Sequence, residues 1–284
     1  MDLFQETKFI MNKYGIKANK NLGQNFLIDE DIVNGIVEQA KISKEDLVIE
    51  IGPGLGTLTS RLLEVAGKVI AIELDKNVLE TLNDRFKLYN NFELINQDIL
   101  KTDLKSLIES NLNEKLNCCK VVANLPYYIT TPIIMKLLEE NLNLESITVM
   151  VQKEVAERLT AIPGKNKEAG SISYSIYYYC DAQIALDVPR NCFIPSPDVD
   201  SAVINLKLLK QPRIQIDNEE LLFKIIKSAF SQKRKTLINS LVNKKICSSK
   251  QEAEKVLNEI GIDLKARPEE LSLEDFAELS KKLS

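Results

Sequence analysis

Apolar residues fall along this chain in two rhythms. Short, nearly continuous runs at Leu47 to Ile51, Lys68 to Glu73, Phe92 to Asn96, Lys120 to Ala123 and Ile147 to Gln152 read as buried strands. Between them, apolar positions recur every three or four residues at Thr57 to Val65, Asn77 to Leu88, Leu104 to Glu109 and Pro132 to Glu139, which predicts helices. Such alternation implies right-handed crossovers and a parallel sheet with helices on both faces. Ahead of it, Ile32, Val33, Ile36 and Val37 repeat at helical spacing behind Asp29 or Glu30, so a helix is expected there. Residues 1–24 are polar and carry Lys8, Lys13, Lys17 and Lys20; a mobile basic lead-in is expected.

Past Gln152 the pattern gives a helix to about Thr160, a polar loop from Pro163 to Lys167, and an aromatic-rich helix around Ser173 to Tyr179. Two alternating runs follow, Gln183 to Val188 and Ala202 to Leu208, which are expected to pair antiparallel at the sheet edge. Gln211-Pro212 breaks the pattern. Leu221, Leu222, Ile225, Ile226, Ala229 and Phe230 then open an all-helical tail, so the boundary is drawn between an α/β domain, 1–208, and a small helical domain, 209–284.

Composition narrows the chemistry. The 284 residues, 44% hydrophobic, suffice for one large and one small core. No apolar run approaches the roughly 18 residues of a membrane span, and the acidic, unpatterned start does not resemble a secretory signal. Five cysteines without Cys-x-x-Cys spacing fit a reducing cytoplasm, with no metal expected. Histidine is absent, which removes Ser-His-Asp, Cys-His and His-metal chemistry. Net charge is −4, yet Gln211 to Lys250 holds nine basic against three acidic residues. That stripe, centred on Lys233, Arg234 and Lys235, suits a nucleic-acid backbone or a solvated helix face.

The first strand runs into Gly52-Pro53-Gly54-Leu55-Gly56 and then a helix, the setting of a nucleotide loop. Compared with the dinucleotide fingerprint, the third glycine comes one residue early and Pro53 removes an N–H, so a nucleoside site fits better than a pyrophosphate cradle. In an open parallel sheet the ligand lies beyond the carboxyl ends of the strands. There stand Glu50, Gly52, Gly54 and Gly56; Glu73 and Leu74; Asp98 and Ile99; and Asn124. Glu73 can accept both ribose hydroxyls, and Asp98 either an adenine amine or the N–H groups of a turn it caps.

In Asn124-Leu125-Pro126-Tyr127 an amide, a fixed carbonyl and an aromatic ring follow a buried strand. An adenine-like amine is a poor nucleophile because its lone pair is delocalised into the ring. Two acceptors, the Asn124 side-chain oxygen and the Leu125 carbonyl directed by Pro126, favour a pyramidal nitrogen, and Tyr127 can stack on the base.

These segments, with Asn25-Phe26-Leu27, Ala71-Ile72-Glu73-Leu74-Asp75, Gln97-Asp98-Ile99-Leu100 and Phe193-x-Pro195-x-Pro197-x-Val199-x-Ser201-Ala202-Val203, resemble the ribosomal RNA adenine N6-dimethyltransferases. Ala229-Phe230-Ser231-Gln232-Lys233-Arg234-Lys235-Thr236-Leu237 is similar to their bacterial small-subunit (16S) branch. The resemblance implies a Rossmann-like class I fold using S-adenosylmethionine, and as substrate two adjacent adenosines near the 3′ end of small-subunit RNA, each methylated twice, within the assembling subunit. It further implies that Asn25, Leu27 and Gly52 touch the cofactor, that Tyr127 and Phe193 sandwich the target base, and that the basic stripe meets phosphate. A cytoplasmic monomer is expected. A nicotinamide oxidoreductase, a large-subunit RNA or DNA adenine methyltransferase, and a non-enzymatic RNA-binding assembly or transcription factor remain as alternatives.

Overall fold

The computed structural model describes residues 1–19, 22–231 and 236–284. The chain divides into two compact units, residues 1–156 with 183–208, and residues 157–182 with 209–284.

The first unit is built on a seven-stranded sheet. Strands β2 (Asp46–Ile51), β3 (Lys68–Glu73), β4 (Phe92–Asn96), β5 (Cys118–Asn124) and β6 (Ser146–Gln152) run parallel. The strand β9 (Ser201–Leu208) lies antiparallel on β6, with β7 (Cys180–Val188) outside it, giving the order β4-β3-β2-β5-β6-β9-β7. Every residue of β2 is buried, as a strand covered on both faces requires. On one face Val48, Val69, Val122, Met150 and Val203 join a core with helices α2 (Glu30–Gln39), α3 (Thr57–Val65) and α4 (Lys76–Phe86). The chain reverses direction across the sheet after β4, so right-handed crossovers carry α5 (Leu104–Asn111) and α6 (Thr130–Glu139) to the other face. Neighbouring β2 and β5 therefore flank the switch point, where a crevice opens beyond the strand ends.

Two features depart from the sequence reading. The basic lead-in contains a docked helix, α1 (Leu3–Lys13), capped by Asp2 and carrying Ile10 into the same core. Glu6 pairs with Arg85 at 2.7 Å, and the Tyr14 hydroxyl donates to Asp84. The second is a two-stranded ladder, in which β1 (Phe26–Leu27) pairs antiparallel with β8 (Phe193–Ile194) and so joins segments far apart in the chain.

The second unit is helical. It contains α7 residues from Glu157 onward, α8 (Ser171–Tyr179), α9 (Glu219–Phe230), α10 (Leu237–Asn243), α11 (Lys250–Glu259) and α12 (Leu273–Lys282), where α7 as a whole is Lys153–Leu159. A single boundary after residue 208 misses that residues 157–182 belong here. The reason is the aromatic face of α8: Tyr174 packs edge-on against Phe276, and Tyr178 against Phe223. The Tyr174 hydroxyl donates to the Leu271 carbonyl, so its buried polar end is satisfied.

Candidate active site

Beyond the carboxyl ends of β2 to β5 lies a cleft of about 1130 Å³, its open mouth included. Its walls collect residues from the strand-end segments and the Asn25-Phe26-Leu27 segment singled out in the sequence: Asn25 and Leu27, Glu50, Gly52 and Gly54, Glu73 and Leu74, Asp98 and Ile99, and Asn124 through Tyr127.

At the end of β2, Glu50 is 1% exposed and its Oε2 has no hydrogen-bond partner among the described residues. Burial, with the Glu73 carboxylate adding repulsion, pushes its pKa up to about 8 against the pull of the Thr59 hydroxyl. Gly52 follows with φ +67°, and a side chain there would meet nothing within 4 Å, so the space above it is held open toward the cleft. At the end of β3, Glu73 accepts the Gly54 N–H at 3.1 Å and the Asp75 N–H at 2.8 Å. Burial raises its pKa, and these N–H groups oppose the rise. Both oxygens are thereby aimed, each keeping a lone pair for a further donor.

Asp98, after β4, caps the turn Ile99–Lys101 by accepting the Leu100 N–H at 3.0 Å. The cap and the cleft-lining position coexist, one carboxylate oxygen sufficing for the turn. Asn124, at the end of β5, donates from Nδ2 to the Asn25 carbonyl at 3.2 Å, which leaves its Oδ1 as the acceptor. Leu125 is buried and its N–H donates to the Met150 carbonyl, tying the turn to β6. Tyr127 is half-buried, with its hydroxyl 2.8 Å from Ser201 Oγ; burial raises its pKa.

Two expected site residues lie elsewhere. Gly56 is the N-cap of α3 at φ +81°, and a Cβ there would sit 2.5 Å from Phe86 Cε2. Its glycine serves helix packing and not the cleft. Phe193 is 4% exposed, paired with Leu27 in the β1–β8 ladder and enclosed in the core. It supports the cleft wall through Leu27, and in this conformation it presents no face for stacking. Conversely, Gln24 and Tyr128 line the cleft although the sequence gives neither a site role. Gln24 donates to Asp75 at 2.8 Å and Tyr128 is 59% exposed at the rim; a polar or aromatic residue beside each recognised motif was the only available signal.

Of the basic residues, Lys233, Arg234 and Lys235 lie outside the described residues. Lys244 and Lys245 are exposed after α10. Arg213 is engaged by the carbonyls of Tyr177 and Cys180 and by Asp181, so it is committed to structure and not to phosphate. Among the described residues, no helix is long and apolar enough to cross a membrane, and no cluster of His, Cys, Asp or Glu is assembled to hold a metal.

Comparison with known proteins converges with this geometry. The family model described as Ribosomal RNA adenine dimethylase matches residues 15–284. A Ribosomal RNA small subunit methyltransferase A of Clostridium botulinum (strain Loch Maree / Type A3) is 50% identical over 274 residues, covering 96% of this chain and 97% of that one. The protein of the same name from Clostridioides difficile is 48% identical, covering 96% and 93%. Among solved structures, a dimethyladenosine transferase from Plasmodium falciparum superposes with a TM-score of 0.72 at 28% identity, covering 89% of this chain and 95% of that one. A 23S rRNA methyltransferase, ErmE, gives 0.67 at 24% identity, covering 91% and 99%, a likeness of fold.

Proposed function

The chain belongs to the ribosomal RNA adenine dimethylase family, and from that premise we propose that its cleft transfers methyl groups from S-adenosylmethionine to adenosine N6 in small-subunit ribosomal RNA. The observation that carries this reading is Asn124, fixed by its bond to Asn25 in the same cleft as the buried carboxylates Glu50 and Glu73. The half-identical relatives named for the small subunit supply the substrate class.

The residues fit the cofactor. An orphaned buried oxygen on Glu50 suits an ammonium, the aimed oxygens of Glu73 suit a ribose diol, and Asp98 suits an adenine amine. The open space over Gly52 admits close approach of a ligand to the backbone. When bound, S-adenosylmethionine supplies an electrophilic methyl group on a cationic sulfur.

The chain's part is to bind, orient and dehydrate the acceptor amine. Asn124 Oδ1 and the Leu125 carbonyl accept its two N–H bonds, so the nitrogen lone pair is released from the ring. Tyr127 stacks on the base, and Pro126 fixes the direction of the Leu125 carbonyl. The alkylated nitrogen is strongly acidic and gives its proton to water without a dedicated base, in keeping with a sequence free of histidine. A target base must leave its stack to reach such a cleft, which is cheapest in single-stranded or loop RNA. The resemblance to the family's small-subunit branch makes two neighbouring adenosines near the 3′ end of the RNA, in an assembling small subunit, the substrate of this reading, with the enzyme acting as a monomer.

With methyl-labelled S-adenosylmethionine, label is expected to enter immature small subunits and not large subunits or DNA. Label confined to the large-subunit RNA would overturn the substrate assignment.

Lys233, Arg234 and Lys235, with exposed Lys244 and Lys245, provide phosphate contacts. Reversing the charge of the first three is expected to weaken subunit binding and to flatten the log–log salt dependence by about one unit per phosphate lost. An unchanged slope in a filter-binding titration would make the stripe a solvated face.

A further inference from the structure

We infer that Ser201 is a positioning residue for methyl transfer, holding the ring of Tyr127 in its base-stacking orientation through the hydrogen bond between their hydroxyls. This inference rests on the reading that Tyr127 stacks on the target base.

Ser201 is the first residue of β9 and is fully buried. The register pairs it with Gln152, the last residue of β6, so its backbone is clamped at the carboxyl edge of the sheet. Tyr127 stands on a short turn and not on a strand: it opens the turn Tyr127–Ile129, which is closed by the Ile129 N–H on the Pro126 carbonyl. The remote end of its side chain is tied to the sheet through Ser201 Oγ at 2.8 Å. A tyrosine has two side-chain torsions, and fixing its hydroxyl restrains both. Burial raises the phenol's pKa above its ordinary value, so the pair is a neutral hydrogen bond at neutral pH.

A role for Ser201 in mere folding predicts something different. Among the described residues Ser201 Oγ bonds Tyr127, whereas Glu73 and Asp98 are held by Gly54, Asp75 and Leu100, so the cofactor end of the cleft is held by other contacts. Removing its hydroxyl frees the ring to sample other rotamers and leaves the cofactor site intact. The effect should then appear in transfer to RNA and not in cofactor binding.

The test is a double-mutant cycle of Ser201→Ala and Tyr127→Phe, with Tyr127→Ala as reference, each assayed for kcat/KM on immature small subunits, cofactor affinity and melting temperature. Each single variant of the cycle is expected to lose about tenfold in kcat/KM, and the double variant about the same, because either change breaks one bond. Cofactor affinity should stay within twofold, and Ser201→Thr, which keeps the hydroxyl, should recover most of the rate. Additive losses, or a loss matched by weaker cofactor binding, would overturn the positioning role. Activity in Tyr127→Ala equal to the unmodified protein would instead overturn the stacking reading itself, which separates the two failures.

Discussion

Replacing Asn124 with alanine is expected to slow methyl transfer roughly 10²- to 10³-fold under single-turnover conditions with saturating cofactor, the range found when one preorganised acceptor or donor is removed from a reacting centre. Folding should change far less. Asn124 is partly exposed and its side chain forms one hydrogen bond among the described residues, to the Asn25 carbonyl, whose loss costs about 1 kcal/mol. The two effects are separable because the side chain has two ends with different partners. Nδ2 is spent on the Asn25 backbone, which aims Oδ1, and in the proposed reaction Oδ1 is the end of the side chain that accepts from the amine. The measurement is rapid-quench transfer of a labelled methyl group beside a thermal melt. A variant within threefold of the unmodified rate would remove Asn124 from the mechanism, and a collapse of the melting transition would make its role structural.

The strand ends that assemble this cleft were legible because buried parallel strands are continuous apolar runs, so their last residues stand out. Glu50, Glu73, Asp98 and Asn124 were all found this way, and the cleft gathers them. Glycine was less informative, because one residue type answers two needs. Gly52 keeps space open beside the cleft, whereas Gly56 accommodates Phe86 against the start of α3, and spacing alone does not distinguish them. The β1–β8 ladder was illegible for another reason: two residues per strand carry no periodicity, and the partners Leu27 and Phe193 are distant in sequence. That same ladder explains why Phe193 is buried where a stacking ring was expected. Residues 157–182 belong with the helical unit although they precede the last two strands in chain order, because α8 finds its apolar partners in α9 and α12, and packing across the chain leaves no periodic signal.

The buried carboxylate of Glu50 predicts an unusual dependence of stability on pH. In the folded protein it keeps its proton to about pH 8, whereas an unfolded glutamate loses it near pH 4.3. Between these values the folded state binds the extra proton, so Glu50 makes stability fall as pH rises, by up to roughly 1.4 kcal/mol per pH unit, and the loss levels off above pH 8. The other carboxylate acting on Glu50 is Glu73, whose own raised pKa has the same sign and is left in place. Glu50→Gln should therefore melt at a temperature close to that of the unmodified protein at pH 5 and several degrees above it at pH 8, with a shallower slope between. Binding should show the converse. A cationic cofactor favours the ionised form of Glu50, so its affinity for the unmodified protein should tighten as pH rises toward 8 and release a proton. In Glu50→Gln it should be weaker by about tenfold or more and less dependent on pH, with only the part set by Glu73 remaining. Scanning calorimetry from pH 5 to 9, with titration calorimetry in buffers of different ionisation enthalpy, reads both effects. Parallel stability curves for the two proteins would refute a protonated Glu50. Proton release of equal size in both would move the linkage to Glu73, the carboxylate that the substitution leaves untouched.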